Sequence, residues 1–199
     1  QQRVQSGAPK AYLPIDGLQS YDQAVQALVF APDAPALKEQ RVITVQALGG
    51  TGGLKIGADF LKLLCPGAQV WISEPSWENH RALFEGAGFK VGSYPYFDPA
   101  TRGLRFEPML AALGALPAGD IVVLHSCCHN PTGVDLSKEQ WQKVLAAVQA
   151  ILDPTFTLRG VQTTDENVTP LLVVNGPVIR ELAINGSFGA LGPGWQANA

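Results

Sequence analysis

Four of the six cysteines and histidines in this sequence sit in one stretch, His125-Ser-Cys-Cys-His-Asn-Pro-Thr-Gly133. Thiolate and imidazole together suit zinc, and a cysteine beside a histidine is the material of a nucleophilic pair. Spacing argues against both. Neighbouring residues on an extended segment point to opposite sides, so Cys127 and Cys128 would diverge, and the chain holds only three Cys and three His in all. Cysteine is also among the residue types most often buried as inert packing. No metal site and no catalytic residue are therefore assigned, and Cys127, Cys128 and His129 remain a rival thiol or metal reading. The amide of Asn130 is a different proposition. It follows the apolar run Ile121-Val-Val-Leu124, and a buried strand that stops at a polar loop and re-enters as a helix is where open α/β sheets meet ligands.

Two more stretches carry ligand chemistry. Gly49-Gly-Thr-Gly-Gly53 lies where a helix is expected to start, so glycine backbone could approach an anion closely, with N–H groups and the helix dipole favouring negative charge. Thr51 adds a hydroxyl donor. The loop has neither the Walker pattern nor G-x-G-x-x-G spacing, and a tight turn without a ligand is the alternative. Trp77, in Glu74-Pro-Ser-Trp-Glu-Asn-His80, could stack on a planar ring or could cap the core.

These residues need a scaffold, and the pattern of the chain supplies one. Residues 1–20 read as irregular. Tyr21–Phe30 has helical spacing, and Pro32 and Pro35 break it. Arg41–Leu48 reads as a strand because Val42, Ile43, Thr44 and Val45 are mostly β-branched. A helix over residues 54–64, a strand at Gln69–Ile72, a helix at Asn79–Glu85 and a strand at Phe89–Tyr94 follow. After a turn at Asp98-Pro99 come a helix at Glu107–Leu116, the strand Ile121–Leu124 and a helix at Ser137–Leu152. Strands alternating with helices predict an α/β fold, with a mostly parallel sheet whose faces are covered. From Asp153-Pro154 the texture turns polar and aperiodic, apart from a possible strand at Leu171–Val174, and this tail need not join the same sheet.

Composition narrows the partners. Hydrophobic residues make up 46% and charged residues 16% of 199, enough for a packed core. A net charge of -3 gives no electrostatic reason to expect nucleic acid or an anionic membrane, and no apolar run is long enough to span a bilayer. Three cysteines, two of them adjacent, point to a reducing, cytoplasmic setting rather than a disulfide framework. Gln1 in place of Met suggests processing or truncation at the start.

Taken together, Lys10-Ala-Tyr-Leu-Pro-Ile-Asp-Gly17, Leu48-Gly-Gly-Thr-Gly-Gly-Leu54, Ser76-Trp-Glu-Asn-His80 and Cys127-Cys-His-Asn-Pro-Thr-Gly133 resemble, in order and spacing, the aspartate/aromatic amino-acid aminotransferases. These are pyridoxal 5'-phosphate enzymes, and the resemblance runs over residues 1–152. It implies a partial large, cofactor-binding domain of the aspartate aminotransferase fold and a homodimer acting on an L-amino acid (aspartate, glutamate or aromatic) and a 2-oxo acid. It further implies that Gly49, Gly50 and Thr51 hold the cofactor phosphate, Trp77 stacks on the pyridine ring and Asn130 bonds the ring hydroxyl oxygen. His80 and His125 would support the acidic partner of the pyridine nitrogen. Tyr12 would reach the phosphate of the neighbouring subunit, and Cys127 and Cys128 become packing residues.

The departures shape the expectation of activity. The family's earlier start is missing, as are the strand bearing the aspartate for the pyridine nitrogen, the Schiff-base lysine and the carboxylate-gripping arginine. No lysine follows Lys143 in these 199 residues. The expectation is a fragment or chimera without transaminase turnover of its own. A non-catalytic binder of a phosphorylated planar ligand is the rival. Residues 153–199 are expected to be an unrelated or fused tail, and its segments Thr169–Pro177 and Glu181–Gly194 faintly resemble a UGSC-type family.

Overall fold

The structure, a computed structural model, describes residues 11–30, 33–40, 42–151, 171–174 and 182–183. Two compact units emerge, residues 1–47 and 48–199. The boundary expected at 152/153 falls outside the described residues, as do most of the segments that resemble a UGSC-type family.

The first unit holds α1 (Gln19–Val29) and the short α2 (Pro35–Lys38). Pro35 does not merely break a pattern here. At the first helical position its missing N–H costs nothing, so it opens α2. The strand expected at Arg41–Leu48 is not found among the described residues: residues 42–47 carry no regular secondary structure and pair with no described strand. β-branched residues favour an extended backbone, but only a neighbouring strand makes a ladder. Among the described residues, side-chain and backbone hydrogen bonds hold the segment instead. The Gln46 amide donates to the Asp16 carbonyl at 2.8 Å, and Gln26 Nε2 donates to Thr44 Oγ1 at 2.9 Å. Gly17 turns here with φ +99, and a Cβ on it would lie 2.3 Å from that of Gln46. That position therefore requires glycine.

The second unit runs α3 (Gly49–Leu64), β1 (Gln69–Glu74), α4 (Glu78–Gly86), β2 (Lys90–Pro95), β3 (Phe97–Asp98), β4 (Gly103–Leu104), α5 (Phe106–Gly114), β5 (Ile121–Leu124) and α6 (Lys138–Ile151). The strands β6 (Leu171–Val174) and β7 (Leu182–Ala183) follow. The sheet order is β2-β1-β5-β6-β7. β1 is parallel to both β2 and β5, with Trp71 opposite Gly92 and Val70 opposite Ile121. β6 adds antiparallel to β5, and β7 antiparallel to β6, so the possible strand at Leu171–Val174 does join this sheet. The pair β3–β4 is a separate hairpin.

Each face of the parallel strands carries its own core. Successive residues of a strand alternate sides, and β5 divides accordingly. Ile121 and Val123 pack with Leu54, Ala58 and Leu61 of α3 and Phe84 of α4. Val122 and Leu124 pack with Met109 and Leu113 of α5 and Val144 and Val148 of α6. Burial on both sides explains why Ile121–Leu124 reads as a continuous apolar run. At the start of the sheet Asp120 ties β1 to the approach to β5: its carboxylate accepts from the Gln69 amide and from Trp71 Nε1, both at 2.9 Å.

Candidate functional site

Topology brings Trp77 and Asn130 to one edge of the sheet. β1 and β5 are parallel, so the segments leaving them, Pro75–Trp77 and His125–Asn130, emerge from the same end. α3 returns to β1 through Cys65–Ala68 and packs along it. Its 16 residues extend about 24 Å, and the six of β1 about 20 Å. The helix therefore begins at the edge where the strand ends, and Gly49 starts the helix itself. The glycine stretch is not a loop before a helix at residue 54, as its composition suggested, but the helix's first turn.

That first turn is open to an anion. Its N-cap, Leu48, offers no side-chain acceptor to the leading N–H groups, which are left without intrahelical partners. Gly49 has φ +65, and a Cβ placed there would meet nothing within 4 Å. Gly49 and Thr51 are exposed and Gly50 is half-buried. Trp77, half-buried, is the N-cap residue of α4 and lies against the core on the α3 face. Asn130 is exposed, immediately after the buried His129. Tyr12 belongs to the first unit and its side chain is fully exposed.

A chain of rings runs across this edge. Trp77 meets His80 edge-on at 5.3 Å between centroids, His80 lies 5.0 Å from His125, and His125 meets His129 edge-on at 4.5 Å. His129 in turn stacks on Tyr96 at 3.8 Å. The first and last histidines are pinned. Ser76 Oγ shares a 2.9 Å hydrogen bond with His80 Nδ1, while His129 bonds Ser73 Oγ at 2.9 Å and Thr132 Oγ1 at 2.8 Å. His125 differs: its Nδ1 is buried with no hydrogen-bond partner. Such a group inside a protein needs one.

Burial keeps all three imidazoles neutral. It lowers His80 to about 4, with His125 adding repulsion. It holds His125 at about 4 against a partial offset from Asp135, and it takes His129 to about 3, helped by His125 and then His80. Burial also pushes the Tyr96 hydroxyl up, and that hydroxyl donates to the Val134 carbonyl at 2.6 Å.

The segment from His125 to Gly133 corrects two expectations about the thiols. It is not extended: Cys128 has φ +53. The Asp135 carboxylate holds the bend by accepting from the amides of Cys128 and His129, both at 2.8 Å. Nor does Cys128 pack; it is exposed and Cys127 half-buried. The buried member is His129, at 2% exposure, engaged on both ring nitrogens. Composition placed it with the thiols, but the geometry places it with the rings. Among the described residues no group of three His, Cys, Asp or Glu is arranged to hold a metal, and no helix is long and apolar enough to cross a membrane.

Sequence reasoning missed the residues that position the site: Ser73, Tyr96, Thr132 and Asp135. Thr132 and Asp135 carry a local signal, since short polar side chains in an Asn-Pro-Thr-Gly turn sit where backbone amides need acceptors. Ser73 and Tyr96 reach His129 only through the sheet, which no local spacing encodes. A cavity of about 490 Å³, lined by Glu74, Pro75, Phe97 and Arg105 among others, lies over the ends of β1 and β2 and includes none of Gly49, Thr51, Trp77 or Asn130.

Known proteins resemble this chain in sequence and fold. The family model for aminotransferase class I and II matches residues 1–153. The aspartate aminotransferase of Pseudomonas aeruginosa is 57% identical over 148 residues, which are 74% of this chain and 37% of that protein. The aromatic-amino-acid aminotransferase of Escherichia coli is 55% identical over 139 residues, 70% of this chain and 35% of that protein. Among solved structures, the aromatic-amino-acid aminotransferase from Burkholderia pseudomallei, covalently bound to pyridoxal phosphate, superposes with a TM-score of 0.72 at 59% identity, covering 75% of this chain and 37% of that one. The chain thus spans little more than a third of the length of these relatives.

Proposed function

We propose, from the premise that this chain belongs to the class I and II aminotransferase family, that its sheet edge is the pyridoxal 5'-phosphate-holding part of an amino-acid aminotransferase. The observation that carries this reading is the helix start of α3, unfilled by any cap, on the same edge as Trp77 and the histidine rings. The residues fit the group: an open helix terminus for a dianion, an indole for a planar ring, an amide for a ring oxygen, and in His125 a buried nitrogen still lacking a partner.

In this reading the amides of Gly49 and Gly50 and the hydroxyl of Thr51 bind the phosphate, with the helix dipole adding to the attraction. Trp77 stacks on the ring and fixes its plane. Asn130 donates to the ring hydroxyl oxygen. His80 and His125, held neutral, steady the acidic partner of the pyridine nitrogen, and Tyr12 contributes across the interface of a homodimer. When bound, the cofactor supplies an electron sink for charge developing at the substrate α-carbon. The activity of the whole protein would be amino-group transfer between L-aspartate, L-glutamate or an aromatic amino acid and a 2-oxo acid, in the cytoplasm. Within these 199 residues no lysine follows Lys143, which favours a second reading for the chain by itself: a non-covalent binder of a phosphorylated planar ligand.

Titration with pyridoxal phosphate, followed by tryptophan fluorescence, tests the reading. Quenching in the parent chain that is largely lost in Trp77→Phe supports it; no quenching, or equal quenching in the variant, overturns it. Borohydride treatment of the same samples separates the two readings, since a pyridoxyl mass on one particular lysine would contradict purely non-covalent binding.

A further inference from the structure

The thiols of Cys127 and Cys128 play no part in the reading above, yet they do not sit as sequence neighbours usually do. On an extended segment they would diverge. The left-handed backbone at Cys128 breaks the alternation, and the Cys128 thiol is in hydrogen-bond contact with that of Cys127. An L-residue in that conformation costs roughly 1–2 kcal/mol. Here two backbone amides bonded to one carboxylate, that of Asp135, hold it. Neither sulfur is in a disulfide, and Cys128 is exposed. The pair is thus a preformed, reachable dithiol.

We propose that Cys127 and Cys128 form a vicinal-dithiol modification site that captures a soft, thiophilic centre of the trivalent-arsenic class. Paired sulfur ligands select soft centres over hard ones, and two thiols already in contact need little rearrangement to chelate one atom. For an aryl arsenoxide the reaction balances without an oxidant: two S–H bonds and the As=O bond are consumed, two As–S bonds form, and both protons leave with the oxygen as water. Single-thiol chemistry is disfavoured at the same place. Burial and the neighbouring Cys127 raise the Cys128 thiol, so little thiolate is present near neutral pH to attack a disulfide or an alkylating agent. The site discriminates by the number of sulfurs a reagent takes.

The test uses the full chain, reduced, with phenylarsine oxide as probe and intact-mass spectrometry as readout. One adduct per chain is expected, stable to excess monothiol and removed by a dithiol such as dimercaptopropanol. Cys127→Ser and Cys128→Ser should each abolish it, while Cys65→Ser, which removes the chain's remaining cysteine, should leave it intact. Circular dichroism on each variant shows that it is folded. No stable adduct on the parent chain, release by monothiol, or an undiminished adduct in a folded Cys128→Ser variant would each overturn the proposal.

Discussion

His80 shows how burial, more than charge, sets the behaviour of this site. It is 3% exposed and held at about 4, against about 6.5 in an unfolded chain. The unfolded chain therefore takes up the proton first as pH falls. The stability that neutral His80 contributes is complete above about pH 6.5 and is lost as pH drops toward 4, on the order of 3 kcal/mol for this residue. Denaturant midpoints measured from pH 7.5 to pH 4.5 should fall steeply, and His80→Gln should flatten the slope. An unchanged slope would show that the imidazole is more solvated than its surroundings indicate. His129 is the stronger structural element, bonded at both nitrogens and stacked on Tyr96. His129→Ala opens a cavity and removes the bonds to Ser73 and Thr132, and should cost about 3 kcal/mol in a urea titration.

At the scale of elements, α3 and β1 do most to place the site, and β1 depends on an absent side chain across its register. A Cβ on Gly92 would come within 2.6 Å of the Trp71 ring. Gly92→Ala should therefore destabilise by about 1–3 kcal/mol, the usual cost of overpacking. With Trp71→Leu in the same chain the two effects should be less than additive, which a double-mutant cycle reads directly. The elements also show what the sequence discloses and what it withholds. Ile121–Leu124 is legible because burial on both faces leaves an unbroken apolar run, and α4, α5 and α6 because their apolar periodicity is strong. The pair β3–β4 has two residues per strand, too few for any period; what holds its turn is Asp98, which accepts from the Ala100 amide and the Thr101 hydroxyl at 2.9 Å. Residues 42–47 mislead for the opposite reason, carrying strand propensity with no described strand beside them.

On the scale of the whole molecule, the motifs that carry Tyr12, Gly49, Thr51, Trp77 and Asn130 were legible as four linked segments, and the family match over residues 1–153 bears out the family they resemble. What ties those segments together was not legible. The contacts from Ser73 to His129 and from Tyr94 to the Val123 carbonyl join residues far apart in the chain, and so did the bend that turns Cys128 outward escape a reading based on extended backbone. The absence of any lysine after Lys143 in these 199 residues has a consequence at this scale. Incubated with pyridoxal phosphate, L-aspartate or L-tyrosine, and 2-oxoglutarate, the 199-residue chain should form glutamate no faster than the cofactor does alone. A rate typical of enzymes, about 1 per second or more, would mean that another residue serves in the lysine's place.

The central claim is that the first turn of α3 is an anion site for the cofactor's phosphate, and comparing pyridoxal phosphate with pyridoxal tests it most directly. The two ligands share the ring and differ only in the group that the amides of Gly49 and Gly50 and the hydroxyl of Thr51 would hold. Binding isotherms on the same chain should show the phosphorylated form at least about tenfold tighter, a difference of roughly 1.4 kcal/mol, with Thr51→Ala narrowing the gap and added salt weakening only the phosphorylated form. Equal affinities for the two ligands, unaffected by Thr51→Ala, would contradict it.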